Sequence, residues 1–363
     1  MATIGRNGRN FTTLITVGWL LSLSLPAFAE TEGLSLVSEV RGNVSVQRTG
    51  RKVQRAQVGD RLKASDKLSL GKGGAAKVLC DNASIWKPNT VGTFTIAKGC
   101  QTKGRTVLRL ANQDRIPTRS GNDPTIPFVI SPRNTNVIDS QQLLRWNPVA
   151  GARDYRVSVT GPDVKWEKSV KQSQVLFSDV ALKPGMRYRV MVTAENGPSS
   201  QSETGIGFSI LDSAAAAQIK SDISALQRQE LSEEAQVLAI AHLERSNELY
   251  GSAIDRLEVW LMRGNKSAAV SQLAGDLNRQ VELPGLARDH YVVGLEIMRR
   301  DGNLAGQAEV LNSLGQVDRD SDRLKAAIGW LEEAQKRYRE LGDGERVQQL
   351  EQESTYLRER VYR

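Results

Sequence analysis

Three alanines in the last third of the chain recur with the same companions, and that recurrence restricts the C-terminal region to stacked helices. Ala253, Ala287 and Ala327 stand 34 and 40 residues apart. Twelve residues before each lies another small residue, Ala241, Gly275 or Gly315, itself preceded by Ile240, Ala274 or Leu314. Four residues after Ala253, Ala287 and Ala327 come Leu257, Tyr291 and Leu331, and seven after come Trp260, Gly294 and Ala334. Small residues at two fixed places let paired antiparallel helices approach closely, while the larger ones fill the groove between them. From Asp212 onward the chain is rich in Ala, Leu, Glu, Gln and Arg. Ser232-Glu233-Glu234 reads as a helix start, and Gly264-Asn265, Gly302-Asn303 and Gly342-Asp343 read as stops.

This register resembles tetratricopeptide repeats, about three divergent ones from Glu233 to about Gly342, followed by a capping helix near Gly344 to Val361. Glu244, Asn278 and Asp318 occupy the place where such repeats usually carry Tyr, and the third repeat starts late. The resemblance implies a surface that takes a peptide or a helix of a protein partner; a plain helical bundle is the alternative. His242 and His290 fall within these helices without a matched His or Cys, and read as packed or surface histidines rather than ligands.

The first 29 residues read as an export signal. Arg6 and Arg9 precede a mainly apolar stretch from Phe11 to Leu25, and Pro26-Ala27-Phe28-Ala29 carries the small-x-small pattern of a cleavage site, placing the cut after Ala29. An uncleaved anchor is the alternative; Thr12, Thr13, Ser22, Ser24 and Pro26 make it a poor membrane span. The expected compartment is therefore periplasmic or extracellular.

Charge divides the mature chain into unlike parts. Residues 31 to 125 hold 17 Lys and Arg against 7 Asp and Glu, net +10; residues 126 to 211 hold 10 against 7, net +3; residues 212 to 363 hold 20 against 26, net −6. The acidic C-terminal part thus has the charge to dock on the basic N-terminal part. With export, the basic excess points away from nucleic acid and towards anionic polysaccharide, lipid headgroups or an acidic protein face. Arg48, Arg51, Lys52 and Arg55 gather around one turn and are the candidate anion-binding residues.

Leu34 to Cys100 reads as short strands. Val37, Val40, Val44 and Val46 surround Gly42; Val58-Gly59-Asp60-Arg61-Leu62 and Asp66-Lys67-Leu68 come next, then the turn Gly71 to Gly74 and the strand Ala75 to Cys80. Gly73-Gly74 is no phosphate loop, since no Gly-Lys-Ser/Thr follows. The order resembles the FecR-like domain, over about 65 residues. FecR proteins relay an iron-uptake signal to a sigma factor through a cytoplasmic tail, which the leader replaces here, so the resemblance implies a non-catalytic periplasmic β module. Cys80 and Cys100 are the only cysteines, and in an exported chain they are expected to form one structural disulfide.

Asn112 to Pro127, with Pro117, Pro124 and Pro127, reads as a linker. Beyond it, Leu144 to Val149 and Tyr155 to Val159 alternate as strands, and Leu182-Lys183-Pro184-Gly185-Met186-Arg187-Tyr188 leads into Arg189 to Val192. That last run resembles the tyrosine corner of fibronectin type III domains, with Trp146 in the buried tryptophan position. A carbohydrate-stacking surface is the competing reading of Trp146, Tyr155 and Tyr188, with Trp166 the better exposed candidate for it.

The expected architecture is multidomain: a signal peptide (1–29), an all-β FecR-like domain (31–111), a linker (112–125), a fibronectin type III-like (Ig-like) β-sandwich (126–211) and an all-α tetratricopeptide-like solenoid (212–363). None of these modules brings chemistry of its own. With two His, no Gly-x-Ser-x-Gly elbow and no His-Glu-x-x-His helix, enzymes and cofactors are disfavoured. The expected function is a non-enzymatic envelope adaptor that binds protein partners through its helical repeats. The alternative is an envelope sensor or anionic-polymer-binding protein acting through the basic domain. The combination resembles envelope proteins of cyanobacteria.

Overall fold

The structure is a computed structural model that describes residues 33–101, 105–109, 123–178, 180–203 and 206–362. The expected leader, and the expected linker up to residue 122, lie outside the described residues.

The N-terminal region builds two four-stranded antiparallel sheets. β1 (Ser35–Arg41), β4 (Arg61–Leu62), β6 (Ala75–Leu79) and β7 (Ile85–Trp86) run in the order β4-β1-β6-β7. β2 (Val44–Gln47), β3 (Gln54–Arg55), β5 (Lys67–Leu70) and β8 (Gly92–Thr95) run β3-β2-β5-β8, with a one-turn helix α1 (Ile96–Gly99) after them. Gly42 joins the two sheets at φ +65°, where a side chain would strike the Gly73 carbonyl. Val37 and Val78 of one sheet share a core with Val44, Val46, Leu68 and Leu70 of the other.

A second β region comes next in the chain. β9 (Val129–Ser131), β11 (Gln142–Trp146) and β14 (Gln174–Phe177) form a three-stranded sheet ordered β14-β11-β9. β10 (Thr135–Val137), β12 (Tyr155–Gly161), β13 (Val164–Val170), β15 (Arg187–Ala194) and β16 (Gly207–Ile210) form a five-stranded sheet ordered β10-β16-β15-β12-β13. Alternate residues of both sheets, among them Leu144, Trp146, Val157, Phe177, Tyr188 and Val190, close one core, as the period of two requires.

The rest is helical: α2 (Ser213–Gln227), α3 (Glu233–Ser246), α4 (Tyr250–Met262), α5 (Ala268–Gln280), α6 (Pro284–Arg300), α7 (Leu304–Asp320), α8 (Leu324–Leu341) and α9 (Gly344–Tyr362). The Ser232 side chain caps α3 by accepting from the Ala235 N–H, where the sequence placed a helix start. Helices α3 and α4, α5 and α6, and α7 and α8 are joined by one recurring turn. Glu248, Glu282 and Asp322 each take a positive φ of 59°, 63° and 59°. The next residue's N–H closes on the carbonyl of Glu244, Asn278 or Asp318 at 2.9, 2.8 and 2.8 Å. Those three residues are the ones that the expected repeat register sets in its Tyr place. Each is buried and bonded: Glu244 accepts from Arg256, the Asn278 amide N–H donates to the Ala274 carbonyl, and Asp318 accepts from Arg288, Arg323 and the Trp330 indole.

The small recurring residues sit at the helix crossings. Ala241, Ala253, Ala287 and Ala327 are fully buried. A Cβ on Gly275 would come within 2.5 Å of the Tyr291 ring, and one on Gly315 within 2.5 Å of Leu331.

Candidate functional site

Charged side chains crowd the seam where the N-terminal sheets meet α3, α5 and α7. Its apolar end is made by Leu34, Leu36, Leu79 and Leu108 against Leu226 of α2 and Ala239, Ile240 and Leu243 of α3. At Gly59, φ +85°, the sheets come so close that a side chain would collide with Ala269 at the start of α5. The sequence marks Gly59-Asp60 as turn chemistry only; the close approach to α5 is a second reason for glycine there.

Arginines fill the polar end. Arg61 reaches Asp276 on α5 at 3.4 Å and Glu309 on α7 at 3.0 Å. Arg51 bonds Asp343 through Nε at 2.8 Å, lies 3.6 Å from Glu309, and holds its guanidinium carbon 5.5 Å from the centre of the Tyr338 ring. The Lys52 N–H donates to the Leu341 carbonyl and its Nζ to the Glu340 carbonyl, both at 2.9 Å, so the last turn of α8 is capped by a residue from the opposite end of the chain. Asn303 donates to Gln57 at 2.9 Å. Between these contacts lies a cleft of about 270 Å³ lined by Arg48, Asp60 and Arg61 on one side and Gln272, Asn303 and Glu309 on the other.

The electrostatics result from this crowding. Burial pushes the Glu309 carboxyl up, but the guanidiniums of Arg61, Arg48 and Arg51 outweigh it and hold the group at about 2. Asp276 accepts from the Tyr291 hydroxyl at 2.8 Å and faces both Arg61 and Arg245. Burial, then the Asp276 charge, pushes the Tyr291 phenol well above its usual range. His242 is 4% exposed, and burial with the nearby Arg245 and Arg61 charges pushes its imidazole well below the ordinary value, so it is neutral at pH 7. His290 is pushed down by burial. Among the described residues, no group of three His, Cys, Asp or Glu could hold a metal ion.

Of the four candidate anion-binding residues, three face this seam or its loop. Arg48 pairs with Asp60 at 3.0 Å, and Arg51 and Lys52 grip α8 and the start of α9. The fourth, Arg55, is exposed and forms no ion pair among the described residues. Arg61, Asp276, Glu309, Tyr338 and Asp343 were not singled out from the sequence; the opposite net charges of the two regions were the only signal for them.

A second seam joins the middle β region to the helices. Arg133, 1% exposed, is held by both carboxylate oxygens of Glu203 at 3.0 and 3.1 Å, by the Val129 carbonyl at 2.9 Å, and by the Val281 carbonyl at the end of α5 at 2.7 Å. Asn136 N–H donates to the Glu248 carbonyl at 2.8 Å, and Arg145 pairs with Asp255 on α4 at 2.5 Å.

Cys80 and Cys100 lie at bonding distance, with Sγ atoms 1.98 Å apart. Trp146, Tyr155 and Tyr188 are core residues, at most 3% exposed. The Tyr155 hydroxyl accepts from the Val149 N–H at 2.9 Å and the Tyr188 hydroxyl from the Lys183 N–H at 2.7 Å. Trp166, the better exposed stacking candidate, packs edge-on against Phe177 at 5.3 Å and is partly buried, on the edge strand of the five-stranded sheet. Among the described residues no helix is long and apolar enough to cross a membrane.

No family model and no curated protein matches this chain. Among solved structures it is similar to BtubC (BKLC) from P. vanneervenii, at 17% identity over 41% of this chain and 74% of that one, with a TM-score of 0.30. A likeness this loose carries no statement about function.

Proposed function

We propose that this chain is a non-enzymatic, exported adaptor of the cell envelope that presents its helical region to protein partners. The observation that carries the reading is the use the helices already make of their surface: they hold the N-terminal sheets through Arg51 and Arg61 paired with Asp343, Asp276 and Glu309, and the middle β region through Arg133 donating to the Val281 carbonyl and Arg145 paired with Asp255. A surface that binds folded modules this way is suited to recognising protein.

The finer assignments are part of the proposal. Recurring hairpins with small residues at each crossing support tetratricopeptide-like repeats. The three- and five-stranded facing sheets and the Tyr188 hydrogen bond to Lys183 support a fibronectin type III-like sandwich. The two small sheets with the Cys80 to Cys100 link support a FecR-like module. The test is photo-cross-linking in the producing cell, with a benzoyl-phenylalanine placed in turn at exposed Val259, Val293 and Tyr356 on the helices and at Val53 and Val91 on the N-terminal sheets. Discrete protein adducts from the helical positions are expected. Adducts to polysaccharide or lipid from Val53 and Val91 alone would replace the adaptor with a polymer-binding protein.

A further inference from the structure

The seam takes up Arg48, Arg51, Lys52 and Arg61, and other cations of the N-terminal region are left without a countercharge. Two of them share one sheet face. The sheet β3-β2-β5-β8 turns Val44, Val46, Leu68 and Leu70 into its core. Successive residues of a strand point to opposite sides, so the residues between these face outwards. The register lays them out in two rows across the strands: Arg55, Ser45, Ser69 and Thr93 in one, Gln47, Lys67 and Thr95 in the other. All of them are exposed or half-buried, and the Ser69 and Thr93 hydroxyls share a hydrogen bond at 2.8 Å.

No acid stands in either row. Asp66, next to Lys67, is buried and accepts from the Lys63 N–H. Arg55 and Lys67 form no ion pair among the described residues. The same holds for two exposed lysines at the ends of the sheet, Lys98 after β8 and Lys72 after β5.

The spacing and the residue types select the ligand. Arg55 and Lys67 stand two strands and two residues apart, roughly 12 Å. That is too far for both to close on one carboxylate or phosphate, and it suits a polymer whose charge repeats along the chain. The exposed apolar residues Val53 and Val91 lie outside the rows, so this face offers a bilayer nothing to insert. Its Lys and Ser, without an aromatic side chain, are types in which protein interfaces are poor. Hydroxyls and an amide that both donate and accept, set between cations, match a polymer that carries hydroxyls and carboxylates of its own.

We propose that the outer face of β3-β2-β5-β8 binds an acidic polysaccharide, with Arg55 and Lys67 holding its carboxylates and the row Ser45, Ser69 and Thr93 hydrogen-bonding its hydroxyls. This site goes beyond the adaptor reading and uses no residue of the helices. Each contact is weak in water, so affinity comes from the number of repeats the polymer brings to the face.

The probe is sodium alginate, a polyuronate, with the whole mature chain followed by affinity electrophoresis at low salt. Neutral dextran, a single-stranded oligonucleotide and phosphatidylglycerol vesicles are run beside it. Alginate is expected to retard the chain and dextran to leave it unchanged, with the retardation fading as salt rises. Arg55→Ser with Lys67→Ser is expected to weaken alginate binding about fivefold. Lys165→Ser with Lys168→Ser removes the same charge from exposed positions of β13 and is expected to change it less than about twofold. Ser69→Ala with Thr93→Val keeps every charge and is expected to weaken binding about threefold, a loss that diffuse charge attraction does not produce. Circular dichroism establishes that each variant is folded. A second measurement needs no variant: alginate should protect Lys67 from acetylation by acetic anhydride, read by mass spectrometry, while Lys165 and Lys168 stay reactive. Equal losses from the two cation pairs, unchanged binding by the hydroxyl variant, an unprotected Lys67, or tighter binding of the oligonucleotide or the vesicles than of alginate overturns the proposal. Photo-cross-linking from Val259 and Val293 reads the adaptor function without alginate, so either reading can fail while the other stands.

Discussion

Arg51 Nε lies 2.8 Å from Asp343 Oδ2 across 292 residues of sequence, and this bond joins the first β region to the corner between the last two helices. Both side chains are largely buried, 15% and 13% exposed, so the pair is less screened than one at the surface. The bond closes the polar end of a seam whose apolar end lies on α2 and α3, at the start of the helical region.

Reversing the pair tests whether it is specific. Arg51→Asp and Asp343→Arg should each destabilise the chain, and the double reversal should recover part of the loss, giving a coupling of about 1 kcal/mol in a double-mutant cycle by urea denaturation. Strict additivity would mean that the pair adds nothing.

Glu309 predicts an acid limb in the stability curve. Its folded value of about 2 lies below the ordinary 4.5, so its contribution is fully present above the unfolded value and is lost as the pH falls from about 5 towards 2. Glu309→Gln should lower stability at pH 7 and flatten the loss between pH 5 and 2. An unchanged slope in that window, read by denaturation at each pH, would contradict the network.

At the helix crossings, space is the limiting quantity. Ala287→Leu adds a branched side chain at a fully buried position and should cost about 1–3 kcal/mol by overpacking. Gly275→Ala should also destabilise, because its new methyl meets the Tyr291 ring. Lys266→Ala, at an exposed position, is the control and should lie within about 0.5 kcal/mol of the parent in thermal unfolding.

The buried Arg133–Glu203 pair should respond asymmetrically. Glu203→Ala strands a buried guanidinium and should cost about 3–5 kcal/mol, whereas Arg133→Met with Glu203→Leu removes both charges and should cost much less. Chemical denaturation of the three chains decides it; equal losses would mean that the pair itself, not its desolvation, carries the energy.

Much of the local structure was legible. Ser232 announces α3, the small residues at 241, 253, 275, 287, 315 and 327 announce crossings, and the alternation around Trp146 and Tyr188 announces a strand core, because each depends on neighbours within a turn or a strand. The Glu248, Glu282 and Asp322 turns were not legible: at those positions an acidic residue adopts the left-handed conformation usually given to Gly or Asn, so no turn residue marks them.

What the sequence by itself determined was the order of β and helical regions, the two cysteines, and a basic N-terminal part facing an acidic C-terminal part. Which charges meet was decided only by tertiary structure. Arg48, Arg51 and Lys52 look in the sequence like a free basic turn, whereas packing Leu34, Leu36 and Leu108 onto α2 and α3 carries that turn to Glu309 and Asp343. Pairing partners hundreds of residues apart leave no local pattern, since a charge is complemented by whatever apolar burial brings beside it, and burial depends on the whole fold.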